Sequence, residues 1–214
     1  MTLELREISI TPPGASQPLF RPLSLTVPAG QVTTVMGPSG VGKSTLIDLV
    51  GGHLPPGFTA RGRVLLDGAD VTGLPAERRQ IGILFQDALL FPHLTVGENL
   101  AFGLSRRVRG RAARRRAVEA ALEEAGLAGL HDRDPETLSG GQRGRAALMR
   151  TLLAAPRALL LDEPFAKLDP DRRARLRAFT FDHIRARDIP VLMVSHDAED
   201  AAAAGGEVVH LCAP

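Results

Sequence analysis

The 214-residue sequence predicts an α/β fold built on a mostly parallel sheet, and three observations lead there. Short apolar runs alternate with longer segments of helical pattern, the order that a parallel sheet with crossover helices requires. One run ends in a glycine-rich loop that opens directly into a helix. The middle of the chain, about residues 87–150, is helical in pattern and has strand-rich sequence on both sides, so it reads as an insertion into the sheet layout.

Leu3, Leu5, Ile8 and Ile10 mark a first strand, and Leu23, Leu25 and Val27 a second that breaks at Pro28-Ala29-Gly30. Gln31 to Met36 is a β-branched strand, and Ser44 to Val50 begins a helix stopped by Gly51-Gly52 and Pro55-Pro56. Arg63 to Leu66 predicts a further strand before the turn Asp67-Gly68. Ala112 to Ala125 is the clearest helix and Gly126 closes it. Beyond it, Ala158–Leu161 and Val191–Val194 read as buried strands, Arg172–Arg187 as a helix and Val208–Leu211 as a last short strand.

Composition excludes several classes. With 44% hydrophobic and 23% charged residues the chain fits a soluble globular protein rather than a disordered one. Its apolar runs are far shorter than the roughly 20 residues that span a bilayer. MTLELREISI lacks the order of a signal peptide, and the single cysteine, Cys212, fits a reducing compartment, so a cytoplasmic protein is expected. Arg106 to Arg116 (RRVRGRAARRR) is a dense basic run, read as a solvated face or as a contact for anionic lipid or an acidic partner. No aromatic residue interleaves it and the chain has no Trp or Tyr, so nucleic acid is not an expected partner.

Gly37-Pro38-Ser39-Gly40-Val41-Gly42-Lys43-Ser44 fits G-x-x-x-x-G-K-[ST] between a strand and a helix. Such a loop turns backbone N–H groups toward phosphate oxygens, and the helix N-terminus behind it adds partial positive charge. Lys43 would reach the β- and γ-phosphates and the Ser44 hydroxyl would bind Mg²⁺, which implies a nucleoside triphosphate. Downstream, Ala158-Leu159-Leu160-Leu161-Asp162-Glu163 is an apolar strand ending in two carboxylates. Asp162 is placed to hold Mg²⁺ and Glu163 to polarise an attacking water.

The segment Leu138-Ser139-Gly140-Gly141-Gln142, just before a helix, could make a second anion site. It also matches the LSGGQ signature, and with it the whole chain resembles the ABC (ATP-binding cassette) ATPase family. The resemblance implies a P-loop NTPase core of RecA type with a mostly parallel sheet, an antiparallel β subdomain and an inserted helical subdomain, all within a single domain, 1–214. It implies ATP and Mg²⁺ as cofactors, with ATP held by Gly37, Pro38, Ser39, Gly40, Val41, Gly42, Lys43, Ser44 and Thr45. It implies catalysis by Glu163, by His196 as the switch histidine in Val194-Ser195-His196-Asp197, and by Gln86 as the Q-loop glutamine. Mg²⁺ would be met by Ser44, Gln86 and Asp162, and Asp169, in Leu168-Asp169, matches the D-loop.

In this family two cassettes meet head to tail, so Leu138 to Gln142 of a second copy would complete each ATP site. Further implied partners are a membrane permease and an external solute-binding protein, with the chain peripheral on the inner face of the cell membrane. The stretch Asp87 to Asn99 resembles importer ATPases for small solutes, closest to the thiamine-transport type. Exporter ATPases and non-transport ABC ATPases are the alternatives. The latter is disfavoured by a single cassette without heptads, and a degenerate cassette is disfavoured by the presence of Glu163 and His196.

Four features depart from the family pattern. Thr11-Pro12-Pro13-Gly14 stands where an adenine-stacking aromatic is usual, which could cost about 1–3 kcal/mol and loosen selectivity for ATP over GTP. Phe20 is the nearest aromatic and is expected in the core. Lys167 stands before Leu168 where a small residue is usual; it is expected to be solvated, or to pair with phosphate or repel its own symmetry mate. Gly144 stands where a longer polar residue is common and is expected to weaken the helix after the signature. The chain runs only a few residues past Leu211, so no appended regulatory domain is expected.

Overall fold

In the computed structural model, which describes residues 1–214, the alternating N-terminus forms a long strand, β1 (Thr2–Thr11), whose Leu3, Leu5, Ile8 and Ile10 are buried. The elements that follow are β2 (Leu23–Pro28), β3 (Val32–Met36), α1 (Lys43–Gly51), β4 (Thr59–Leu66), β5 (Ala69–Asp70), the short α2 (Ala76–Arg79) and β6 (Ile81–Leu84). The helical stretch supplies α3 (Val96–Gly103), α4 (Arg111–Glu124) and α5 (Gly140–Leu153). The chain ends with β7 (Ala158–Asp162), α6 (Pro170–Arg187), β8 (Val191–Val194), α7 (Ala198–Ala204) and β9 (Val208–His210).

Packing divides the chain into two units. The first comprises Met1–Ile83, Arg157–Glu163 and Phe181–Pro214; the second comprises Leu84–Pro156 and Pro164–Thr180. Residues 164–180, although cut off from the helical stretch by β7, group with it.

The first unit carries two sheets. One is antiparallel in the order β2-β1-β4-β5, with Leu3 opposite Val27 and Leu66. The other has the order β6-β7-β8-β3-β9, and β7, β8, β3 and β9 pair in parallel. Its central strands β7 and β8 are apolar on both faces, as a parallel sheet demands: Leu159, Leu160, Leu161 and Val191 to Val194 are all fully buried. Helix α1 packs against β7 and β8, and α7 against β3. One apolar core joins both sheets, with Leu46, Ile47 and Val50 of α1 beside Leu3, Val64 and Leu160. Phe20 is fully buried in it.

The sheet order brings the C-terminal ends of β3, β7 and β8 side by side. There lie the phosphate loop, the carboxylate pair and His196, at the crevice where open α/β sheets bind ligands. Arg79 braces α1 from behind: its guanidinium, largely buried, donates to the carbonyls of Leu49, Val50, Thr72 and Leu74. The carbonyls of Leu49 and Val50 lie in the last turn of α1, so the cation also suits the negative end of that helix.

In the second unit α3 and α4 pack together and α5 packs on both. A capping box starts α3, with Glu98 N–H donating to the Thr95 hydroxyl and Thr95 N–H to the Glu98 carboxylate. Asn99, fully buried, accepts from Phe91 N–H and donates to the carbonyls of Phe91, Leu94 and Thr95, which fixes the loop leading into α3. No helix is long and apolar enough to cross a membrane.

Candidate active site

The phosphate loop is shaped by its backbone. Gly42, immediately before α1, has φ of 103°, and a Cβ there would sit 2.8 Å from Leu19 Cδ1, so both conformation and space require glycine. Lys43 is buried at 6% exposure and folds over its own loop, donating to the carbonyls of Gly37 (2.9 Å) and Pro38 (3.1 Å). These two bonds satisfy the buried ammonium and hold its Nζ within the loop. A cavity of about 250 Å³ is lined by Ser39, Gly40, Gly42, Lys43, Ser44, Thr45 and Glu163. Val41 is buried and anchors the loop to the core, while Pro38 is exposed.

Ser44 Oγ donates to Asp162 Oδ1 at 3.0 Å, which ties the start of α1 to the end of β7. Burial pushes the Asp162 carboxyl above its ordinary pKa, while the Ser44 bond opposes that and the nearby Glu163 and Asp48 carboxylates reinforce it. A bound cation would relieve the cost. Mg²⁺ in nucleotide sites takes one or two protein oxygens and completes its shell with phosphates and water. The hydroxyl–carboxylate pair fits that donor set, and no group of three or more His, Cys, Asp and Glu side chains is placed to cage a metal by protein alone.

Glu163 adopts φ of 45°, an uncommon left-handed conformation for a non-glycine residue, directly where the chain leaves β7. Its N–H donates to the Val194 carbonyl at 3.0 Å, and its Oε2 lies 3.1 Å from His196 Nδ1. The left-handed turn thus swings the carboxylate toward the phosphate cavity and the His196 turn. That turn is braced from beneath, where Ser195 Oγ donates to the buried Asp200 carboxylate and accepts from Asp197 N–H. The brace lay outside the sequence reading because Ser195 and Asp200 carry no signal beyond ordinary polar residues near a helix start.

The second unit holds Gln86, the signature and Asp169. Ser139 is the N-cap of α5 in a capping box: Gln142 N–H donates to Ser139 Oγ (3.3 Å) and Ser139 N–H to Gln142 Oε1 (2.8 Å). Leu138 is buried and pins the turn, while Ser139 is exposed. Gln86 and Gly140 line one cavity of about 310 Å³ together with Asp87, Arg143, Lys167 and Leu168. Gly141 and Gln142 line another, of about 570 Å³, with Ser139 and three arginines, Arg145, Arg172 and Arg175. Asp169 accepts from Arg172 N–H at 3.0 Å. The predicted site residues therefore gather as two groups: the phosphate loop, Asp162, Glu163 and His196 in one unit, and Gln86, Leu138 to Gln142 and Asp169 in the other.

The sequence of residues 20–166 matches the family model described as ABC transporter. The chain belongs to the ABC transporter family. It is an ATP-binding subunit and an ATPase. Relatives are similar over most of their length. An uncharacterized ABC transporter ATP-binding protein of Escherichia coli, YnjD, is 50% identical over 185 residues, 86% of this chain and 85% of its own. The thiamine import ATP-binding protein ThiQ of Cereibacter sphaeroides is 49% identical over 176 residues, 82% of this chain and 75% of its own. ThiQ of Rhizobium meliloti is 44% identical over 185 residues, 86% and 76% of the two chains.

Two departures from the family pattern acquire physical accounts. Lys167 is exposed and also has a partner: its Nζ donates to both carboxylate oxygens of Asp87, at 2.7 and 2.8 Å. The pair joins the residue beside Gln86 to the residue two before Asp169. Gly144 does not interrupt α5, which runs unbroken from Gly140 to Leu153. A Cβ at 144 would lie 2.6 Å from Leu176 Cδ2, so glycine makes room for the start of α6.

Proposed function

We propose that this chain powers import of a small solute through a membrane permease, by hydrolysing ATP between two copies of itself. The observation that carries the catalytic half is the cavity of the phosphate loop with Glu163 on its wall and His196 Nδ1 3.1 Å from that carboxylate. The import half rests on similarity to relatives named for thiamine import.

ATP phosphates enter the cavity, and Lys43 exchanges the Gly37 and Pro38 carbonyls for β- and γ-phosphate oxygens. Loop N–H groups and the start of α1 face the same charge. Ser44 and Asp162 would hold Mg²⁺, which would neutralise phosphate charge and orient the γ-phosphoryl group. Glu163 orients and polarises the attacking water, a role worth about 10²- to 10⁴-fold in rate. His196 turns from Glu163 to the γ-phosphate as the site fills. Ser139, Gly140, Gly141 and Gln142 of the second copy close over that phosphate, with Asp169 at the seam.

Two exposed apolar side chains support a surface for the membrane subunit. Leu89 and Phe102 are 57% and 69% exposed, and the Phe102 ring packs edge-on against Phe91 at 4.7 Å. Exposed apolar side chains of this kind suit a docking permease helix. On this reading the chain is peripheral on the inner face of the cell membrane, with a permease and an external solute-binding protein as partners.

The test is the Glu163→Gln variant in millimolar ATP and Mg²⁺. It is expected to run as a stable dimer and to retain a multi-span permease from gently solubilised membranes. A variant that stays monomeric would refute the shared site, and recovery of ribosomes or nucleic acid in place of a permease would refute the transport role.

A further inference from the structure

Seven arginines lie between Arg106 and Arg116, and none has a part in the proposed reaction. Without them the net charge of +2 would become −5, so an acidic body carries one concentrated basic segment. Such asymmetry orients a protein toward an anionic surface before any contact forms.

Six of the seven, Arg106, Arg107, Arg109, Arg111, Arg115 and Arg116, are exposed. Arg115 pairs with Glu119 at 2.7 Å. Arg114 bonds to backbone: its Nη2 donates to the Ala101 carbonyl at 2.8 Å, and its Nη1 to that of Val108 at 3.4 Å. The placement is unfavourable for α4 itself. A helix start carries partial positive charge and favours acids, yet the first turn of α4 contains no acid, and its Gly110 N-cap offers no side chain. Apart from the Arg115–Glu119 pair, helix stability therefore does not account for the cluster.

We propose that this cluster binds the phosphate headgroups of anionic phospholipids and holds the subunit against the bilayer. Guanidinium forks match phosphate oxygens in pairs. The charges spread along an exposed loop and helix start without an apolar anchor at their centre, whereas a protein interface needs such an anchor. That diffuse array suits a fluid field of headgroups better than fixed carboxylates. The Arg114–Ala101 bond sets the cluster beside Phe102, so on the transport reading above it adjoins the surface that meets the membrane subunit.

The test is co-flotation of the full chain, free of nucleotide, with vesicles of phosphatidylcholine alone or mixed with phosphatidylglycerol. Binding is expected only with phosphatidylglycerol, and it should vanish in about 1 M salt, where the screening length is about 3 Å. Each surface charge removed should weaken binding about fivefold, so Arg107→Gln, Arg109→Gln and Arg116→Gln together should weaken it about a hundredfold. The same three positions changed to lysine should keep it, and both triple variants should keep ATPase activity free of membranes, which shows them folded. Equal binding to both kinds of vesicle, or a glutamine triple variant that binds like the parent, would overturn the proposal. So would binding to soluble polyglutamate but not to vesicles, which would assign the cluster to an acidic protein. No readout of lipid binding requires ATP, so failure of the Glu163→Gln dimer would leave this result standing, and the reverse.

Discussion

Ser139 serves two purposes that substitution can separate. In the free chain its hydroxyl oxygen accepts from Gln142 N–H at 3.3 Å and so caps α5; in the proposed dimer the same hydroxyl faces a γ-phosphate. Ser139→Ala removes the cap. Loss of an N-cap acceptor costs about 0.5–2 kcal/mol, and the long bond together with an exposed position, where water can replace the acceptor, favours the lower half, about 1 kcal/mol. For a chain of this size that lowers the melting temperature by about 2–4 °C. Ser139→Asp should do the opposite. Aspartate caps as well as serine, and its charge at the helix start adds about 0.3–1 kcal/mol. The aspartate variant should therefore melt no lower than the parent, yet its carboxylate would confront phosphate and abolish ATP-driven dimerisation and turnover. Thermal and urea unfolding, read beside ATPase rate and size-exclusion in ATP, give both numbers from the same samples. An aspartate variant that hydrolyses ATP at the parent rate would refute the phosphate-facing role, and an alanine variant of unchanged stability would refute the cap.

Three other outcomes are expected. Asp162→Asn should abolish Mg²⁺-dependent hydrolysis while stabilising the nucleotide-free chain at neutral pH. Because burial raises the Asp162 pKa in the fold, the folded state holds its proton to higher pH than the unfolded one; stability falls as pH rises from about 4 through the raised value, and the gain from asparagine should shrink toward pH 4 in unfolding curves. Gly144→Ala brings about 1 kcal/mol of helix propensity but sets a methyl 2.6 Å from Leu176, which is 3% exposed; overpacking of about 1–3 kcal/mol should win, and a rise in melting temperature would show that Leu176 moves freely. Lys43→Ala should abolish ATP binding by calorimetry, whereas undiminished affinity would remove Lys43 from the phosphate site.

Much of the chemistry was legible because it is local. The alternation of Leu3 to Ile10, the apolar run into Asp162-Glu163, and the glycines around Lys43 each dictate backbone geometry within a few residues, so short windows suffice to read them. The order of the motifs carried the family. Ser139-Gly140-Gly141-Gln142 likewise contains its own cap, since its two reciprocal bonds span three residues.

What only the tertiary structure decided lies between residues far apart in the chain. The Lys167–Asp87 pair spans 80 positions, and the close approach at Gly144 comes from Leu176 on another helix. Residues 164–180 join the second unit by packing, across the intervening strand β7. The left-handed turn at Glu163 depends on a hydrogen bond to Val194 in the neighbouring strand, and its carboxylate meets a histidine 33 residues later. A side chain's type states what it can bond. Which partner it meets is set by strand order and helix packing, whose energies are sums over the whole core and leave no mark at either residue.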